Sequence, residues 1–147
     1  MGSMNRQKVF VGGLVAGIIL IVLDYISGSH ILGPYGTGHA EAMNAAVTAT
    51  MNSKRAMYGG VATDLVLGWS VAWLYAAIRP RMGAGARTAM CAGFFVWLVF
   101  ALAMGSYYLY RLASIEFMCL AAIVMLVELL IASYVAGMMY AEEGAAK

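Results

Sequence analysis

Four stretches of the chain are long and apolar enough to cross a lipid bilayer. They run over residues 8–32, 59–78, 87–110 and 113–140. A transmembrane helix needs about 20 mainly apolar residues, and none of the four stretches shows the period-two alternation of a half-buried strand. The chain is 63% hydrophobic and 11% charged, whereas a soluble domain is about half apolar and about a quarter charged. A chain of 147 residues cannot bury so much apolar surface in one soluble core.

The four stretches predict an all-α integral membrane protein that folds as a bundle of four transmembrane helices. Residues 4–147 form this single domain, and residues 1–3 before it are interpreted as a cloning scar. Little of the chain lies outside the spans, which leaves no room for a separate soluble domain. Membrane lipids are therefore an expected partner of most of the surface.

The basic residues near the span ends predict the orientation, because cytoplasmic loops of membrane proteins carry an excess of Lys and Arg. Six basic residues lie on the side of the termini: Arg6, Lys8, Arg79, Arg81, Arg87 and Lys147. Three lie on the opposite side: Lys54, Arg55 and Arg111. We therefore expect both termini to be cytoplasmic. The net charge is +2. The basic residues are scattered over the span ends and form no basic stripe, so no nucleic-acid partner is predicted.

The long loop between the first two spans, residues 33–58, carries two local patterns. Residues 33–38 (Gly-Pro-Tyr-Gly-Thr-Gly) predict a turn-rich break. After this break, Met43, Val47 and Met51 recur at four-residue steps, with polar residues on the opposite side. The second pattern predicts a short amphipathic helix on the outer surface of the membrane.

Small residues recur on one face of each span. The rows are Gly13 and Gly17 in the first span, Gly60, Asp64, Gly68, Ala72 and Ala76 in the second, Gly93, Ala101 and Gly105 in the third, and Glu128, Ala132 and Ala136 in the fourth. Lipid gives helices no hydrophobic reason to associate, so such faces pack through close backbone contact. The rows predict tight packing between helices, either within one chain or also between chains of a homo-oligomer.

Acidic residues inside the spans are the main functional signal in the sequence. An acidic residue at membrane depth costs about 2.5 to 3.5 kcal/mol on insertion scales, so it needs a partner or a purpose. Helical rise places Asp24, Asp64 and Glu116 about 6 to 12 Å below the outer boundary of the membrane. We expect these three carboxylates to form an outward-facing cluster contributed by three helices.

Two interpretations of this cluster remain open. In the functional interpretation, the acids line a polar cavity that binds a cation, takes up protons or holds a polar ligand. In the structural interpretation, Arg111 and His30 neutralise the acids and fix the helix register. Glu128 lies about 18 Å deeper than Glu116, and we expect it to pair with Arg87. The alternative is that Glu128 is the inner site of a proton or cation route.

The sequence contains no motif for catalysis or for a cofactor. It lacks GxSxG, the P-loop, a GxGxxG after a strand, histidine boxes and HExxH. It also lacks a Cys/His pair at ligand spacing. Neither a metal site nor a cofactor is predicted, and a non-enzymatic role is favoured.

Two segments carry a resemblance to a known group of proteins. The first is residues 13–17 (Gly-Leu-Val-Ala-Gly) with Asp24 and Gly33; the second is residues 73–81 (Trp-Leu-Tyr-Ala-Ala-Ile-Arg-Pro-Arg) with Gly83, Gly85 and Thr88. Together they resemble a group of functionally uncharacterised, short four-helix proteins of the bacterial inner membrane. The resemblance covers nearly the whole chain. It implies a multi-pass protein of that membrane, and it brings no activity or functional residue with it.

Three functions fit these observations. The first is a small binding or permeation protein that uses the acidic cluster. The second is an accessory or assembly subunit of a larger membrane complex, docked through its small-residue faces. The third is an enzyme acting on a lipophilic substrate between the helices, although the sequence offers no nucleophile–base pair for it. We expect the first.

Overall fold

The computed structural model describes residues 4–39, 43–51 and 53–140 of the chain. The helices are α1 (Arg6–Ser27), a π-helical turn (Gly28–Leu32), α2 (Gly33–Gly38), α3 (Ala45–Met51), α4 (Lys54–Met82), α5 (Ala86–Leu109) and α6 (Ile115–Met139). No β-strand occurs in this part of the chain, where one isolated antiparallel bridge joins Met43 and Ala113. The interpretation of residues 1–3 as a cloning scar concerns residues outside the described ranges.

Four helical segments in the described residues are long and apolar enough to cross a membrane. They are Arg6–Gly38, Lys54–Met82, Ala86–Leu109 and Ile115–Met139. The prediction of an all-α bundle with four membrane-spanning helices is confirmed at this level. The protein is a multi-pass helical membrane protein by the length and composition of its helices. The position of the termini relative to the cytoplasm stays a prediction.

Side-chain caps determine where three of the long helices begin. Asn5, Ser53 and Ser114 stand just before α1, α4 and α6, and each accepts a hydrogen bond from the main-chain N–H three residues later, at 2.9, 3.1 and 3.2 Å. Such caps satisfy N–H groups that have no partner within the helix. α5 begins differently, after Gly85 with φ at 128°, a conformation that glycine adopts without steric cost.

The turn-rich break predicted over residues 33–38 is wrong, because the first span continues through it as a helix. In the π turn, hydrogen bonds reach five residues back, and the Gly33 N–H donates to the Gly28 carbonyl oxygen. A Cβ on Gly33 would lie 2.6 Å from that oxygen, so the turn depends on glycine. Pro34 lies in the first turn of α2, a position where helices tolerate proline. These local solutions keep a Gly- and Pro-rich segment helical.

A short helix, α3, lies in the predicted loop. The residue before it, Asn44, donates its main-chain N–H to the Leu112 carbonyl oxygen at 2.8 Å, beside the Met43–Ala113 bridge. The loop is therefore attached to the turn between α5 and α6. The placement of α3 on the outer membrane surface stays a prediction, and parts of its pattern, Glu41 and Asn52, lie outside the described residues.

The closest helix crossing joins α1 and α4. A Cβ on Gly68 would lie 2.6 Å from the Gly13 carbonyl oxygen and 2.6 Å from the Gly17 Cα atom. The Gly13 and Gly17 row and its partner row on α4 therefore pack as predicted. Gly60, at the start of that partner row, has open space around it and makes no such contact.

The other helices complete the bundle around this crossing. α5 packs against α6, and α4 and α6 lie between α1 and α5. A Cβ on Gly93 would lie 2.9 Å from the Leu129 carbonyl oxygen, so α5 also approaches α6 through its small-residue face, although Gly105 on the same face lies in open space. The main core consists of small and branched side chains: Ala16, Leu20, Leu67, Val71, Ala72, Leu129, Ala132 and Ala136.

Candidate functional site

Three carboxylates from three helices lie close to one another in the bundle. Asp24 of α1 and Glu128 of α6 both repel Asp64 of α4, and Asp24 also repels Glu128, so the three form one electrostatic group. We call Asp24, Asp64 and Glu128 the acidic cluster. It brings together like charges at membrane depth, where each charge is costly to hold.

The helix packing described above produces this convergence. Asp64 lies one turn before Gly68 on the same face of α4, and its carbonyl oxygen would be 3.2 Å from a Cβ on Gly17. α6 runs antiparallel to α1, since Gly12 lies against Ala136 near the opposite ends of the two helices. Glu128 belongs to the same row of α6 as Ala136, two turns away, and so faces α1 near Asp24.

The three carboxylates differ in burial. Asp64 is 7% exposed and Glu128 is 5% exposed, whereas Asp24 lies on the exposed surface of the bundle. The cluster therefore has two enclosed members and one member, Asp24, at the surface of the bundle.

Ser27 is the nearest polar neighbour of the cluster. It is 5% exposed, and its hydroxyl donates to the Asp24 carbonyl oxygen at 3.2 Å. The same hydroxyl oxygen is within hydrogen-bonding reach of the Glu128 carboxylate. The Oε1 atom of Glu128 is nevertheless buried without a hydrogen-bond partner, and such a group normally costs about 1–3 kcal/mol or more.

No lysine, arginine or histidine in the described ranges forms an ion pair with the acidic cluster. Sequence reasoning places Arg111 and His30 beside the acids and Arg87 beside Glu128. In the structure all three side chains are exposed. Arg111 lies in the turn after α5 with φ at 56°, near Asn44 and Tyr108. The cluster is thus not neutralised by any cation in this part of the chain.

The structure brings Asp24, Asp64 and Glu128 together, whereas Glu116 lies apart from them. Glu116 lies in the first turn of α6 and is exposed. The reason is that the first span and α4 extend beyond their apolar stretches, to Gly38 and from Lys54, whereas α6 begins close to the predicted position, at Ile115. Measured from the helix ends at Gly38, Lys54 and Ile115, the three clustered acids lie about 21, 15 and 20 Å deep.

A signal for Glu128 was present in the sequence. Glu128 begins a row of residues at four-residue steps that continues with Ala132 and Ala136. In the same way, Asp64 precedes Gly68 and Ala72 in the row on α4. An acid within a small-residue row belongs to the face that the neighbouring helix approaches most closely. That shared pattern points to Asp64 and Glu128, and Glu116 lacks it.

The chemistry available to the cluster is that of carboxylates alone. Among residues 4–39, 43–51 and 53–140, no group of three or more His, Cys, Asp or Glu side chains is arranged to hold a metal ion.

Fold and site together define a small multi-pass helical membrane protein with a carboxylate cluster, of which two members are buried and none forms an ion pair with another described residue. The chain matches no protein-family model, no curated protein and no solved structure. Its resemblance to short four-helix bacterial proteins therefore stays a prediction, and the functional argument has to be made from the residues of the cluster.

Proposed function

We propose that the protein takes up a proton or a small cation within the bilayer, at Asp24, Asp64 and Glu128. It would act as a small binding or permeation protein of the bacterial inner membrane. One observation carries the proposal: Glu128 has a buried carboxylate oxygen without a partner, beside two further acids and without a paired cation in the described residues. Intramembrane acids of this kind commonly belong to ion or proton routes.

A proton is the occupant that the local charges favour. Asp64 and Glu128 are buried, and the Oε1 atom of Glu128 has no hydrogen-bond partner. A charged carboxylate in such a place is costly. Protonation removes that charge, and it also removes the repulsion between neighbouring carboxylates.

Packing supports access to the cluster from one side. Toward the N-terminal end of α1, the interior is filled by Leu20, Val71, Leu129 and Ala132, each at most 2% exposed. Asp24, in contrast, lies at the exposed surface. Because this core layer closes the side of the termini, uptake and release would occur on the opposite side, which the basic-residue bias predicts to be the outer side. Permeation would need a second state in which the core layer separates.

Labelling with dicyclohexylcarbodiimide tests the proton site directly, because this reagent reacts with protonated carboxyl groups in apolar surroundings. In proteoliposomes, we expect mass spectrometry to find the adduct on Glu128 or Asp64. Glu128→Gln should remove most of the label, while Glu116→Gln, which changes an exposed acid of the same helix, should not. If Na⁺ or K⁺ lowers labelling at fixed pH, the occupant is a cation that competes with the proton.

A flux assay separates binding from permeation. Vesicles loaded with a pH-sensitive dye receive a membrane potential from a potassium gradient and valinomycin. Permeation predicts faster proton entry with the wild type and with Glu116→Gln than with Glu128→Gln. Labelling of Glu128 without such flux assigns a binding role. Equal labelling of Glu128→Gln and the wild type would overturn the proposed site.

A further inference from the structure

A long groove runs along the outside of the bundle, over α4 and between α1 and α5. Its volume is about 1020 Å³, at the upper end of the range for small-molecule sites. Its walls include five aromatic side chains: Phe10 from α1, Trp69 and Trp73 from α4, and Phe95 and Phe100 from α5. This groove is separate from the acidic cluster, since none of the three acids lines it.

The groove opens sideways, in the direction where the bilayer hydrocarbon lies. Trp73, Phe95 and Val99 on its walls are 55%, 57% and 55% exposed. Along α4 the lining extends from Val66 to Leu74, a length of about 12 Å. One leaflet contributes about 15 Å of hydrocarbon, half of a core about 30 Å thick. The groove therefore has the length and the exposure to receive an acyl chain of one leaflet.

Two polar groups of the groove wall are already used within the protein. The Trp69 indole N–H donates to the Phe10 carbonyl oxygen at 3.2 Å, and the two rings stack with centroids 5.4 Å apart. The Ser70 hydroxyl donates to the Val66 carbonyl oxygen at 2.7 Å. Along this length the wall therefore makes mainly apolar contacts with a ligand. The hydrogen bonds and the ring stacking within the protein hold the groove in shape.

One end of the groove carries a positive charge. Arg6 lines that end, and within the described part of the chain it has no acidic partner. Lys8, Arg79, Arg81 and Arg87 lie at the same end of the bundle, at the first turn of α1 and around the turn from α4 to α5. An occupant with an apolar tail and an anionic head would match this distribution.

We propose that this groove binds an anionic phospholipid of the bilayer, with an acyl chain along Trp69 and Trp73 and the headgroup phosphate at Arg6. The proposal does not rest on the function assigned to the acidic cluster. It differs from general solvation by lipid, because a preformed groove with a cation at one end selects by headgroup charge.

Tryptophan fluorescence tests this proposal, because two of the three tryptophans line the groove. The third, Trp97, donates instead to the Ala122 carbonyl oxygen between α5 and α6, so Trp97→Phe leaves only groove reporters. This variant is reconstituted in phosphatidylcholine vesicles containing one-fifth phosphatidylglycerol. Brominated acyl chains, which quench tryptophan, are placed on a fixed mole fraction of either lipid.

We expect brominated phosphatidylglycerol to quench more strongly than the same amount of brominated phosphatidylcholine. Arg6→Ala should weaken the apparent affinity for phosphatidylglycerol by about fivefold, the effect of one basic residue near an anionic lipid surface. Arg55→Ala, at the opposite end of α4, should leave the preference unchanged. Ala103→Phe narrows the apolar end of the groove and should lower quenching by both lipids, which provides a second test if Arg6→Ala fails to fold.

Two results would overturn the proposal. Equal quenching by the two brominated lipids would show that the groove holds bulk acyl chains without regard to the headgroup. Absence of quenching by either lipid would show that protein covers the groove, either a second copy of this chain or another membrane helix.

Discussion

Replacing Gly68 with alanine tests the packing that holds the bundle together. The added Cβ would lie 2.6 Å from the Gly13 carbonyl oxygen and 2.6 Å from the Gly17 Cα atom. Non-bonded carbon atoms are most favourable at about 3.5–4.0 Å. The two helices would therefore have to separate by about 1 Å along their closest contact, and every neighbouring contact of α1 with α4 would loosen with them.

The expected loss of stability follows from two opposing effects. Overpacking of a tight contact costs about 1–3 kcal/mol. Alanine regains about 0.5–1 kcal/mol over glycine inside a helix. We therefore expect Gly68→Ala to lower the free energy of unfolding by about 1–2 kcal/mol. Gly60→Ala is the matched control, because Gly60 lies two turns earlier in the same helix with nothing within 4 Å of its Cβ position, and it should raise stability by about 0.5 kcal/mol.

Unfolding in mixed micelles of mild detergent and dodecyl sulfate, followed by circular dichroism, measures both variants under one condition. The predicted gap between Gly60→Ala and Gly68→Ala is about 2 kcal/mol. If the two unfold at the same dodecyl sulfate fraction, then α1 and α4 do not meet at Gly68. The packing that aligns the acidic cluster would then be refuted as well.

Three further changes have defined outcomes. Glu128→Leu should raise the free energy of unfolding by about 1–3 kcal/mol, because it removes a buried oxygen without a hydrogen-bond partner. The same micelle titration measures this change, and a loss of stability would mean that Glu128 holds the bundle together. Gly33→Ala should end the first helix near residue 32, because its Cβ meets the Gly28 carbonyl oxygen, and hydrogen exchange over residues 33–38 should rise. Ser114→Ala removes the cap of α6 and should cost about 1 kcal/mol, with faster exchange at Phe117.

The spans could be predicted from the sequence because they depend on a local property, the apolar length of each stretch. Their ends could not, because the ends depend on capping and on the π turn. Ser53 starts α4 five residues before the apolar stretch at 59. Gly28 and Gly33 carry the first helix past the point where composition predicts a break.

Only part of the acidic cluster could be predicted, because its composition depends on where the helices end. Depth below a membrane boundary was counted from the ends of the apolar stretches, so Glu116 appeared level with Asp24. The longer first span and α4 place Asp24 and Asp64 deeper than that count, at the depth of Glu128. Partners for the acids were inferred from nearness along each span, whereas the structure leaves Arg111 and His30 on exposed surfaces, and which helix faces meet is decided by the glycine crossing.

The continuous first helix has a mechanical consequence. From Arg6 to Gly38 it measures about 50 Å, and it crosses α4 near Gly17, about a third of the way along. Tilting about that crossing by about 6° would shift the Gly38 end by about 3 Å, since that end is about 32 Å away. Asp24, only about 10 Å from the crossing, would shift by about 1 Å. The helix thus acts as a lever with unequal arms. Its Gly38 end can move the loop that is attached to the α5–α6 turn, while Asp24, close to the crossing, stays almost in place.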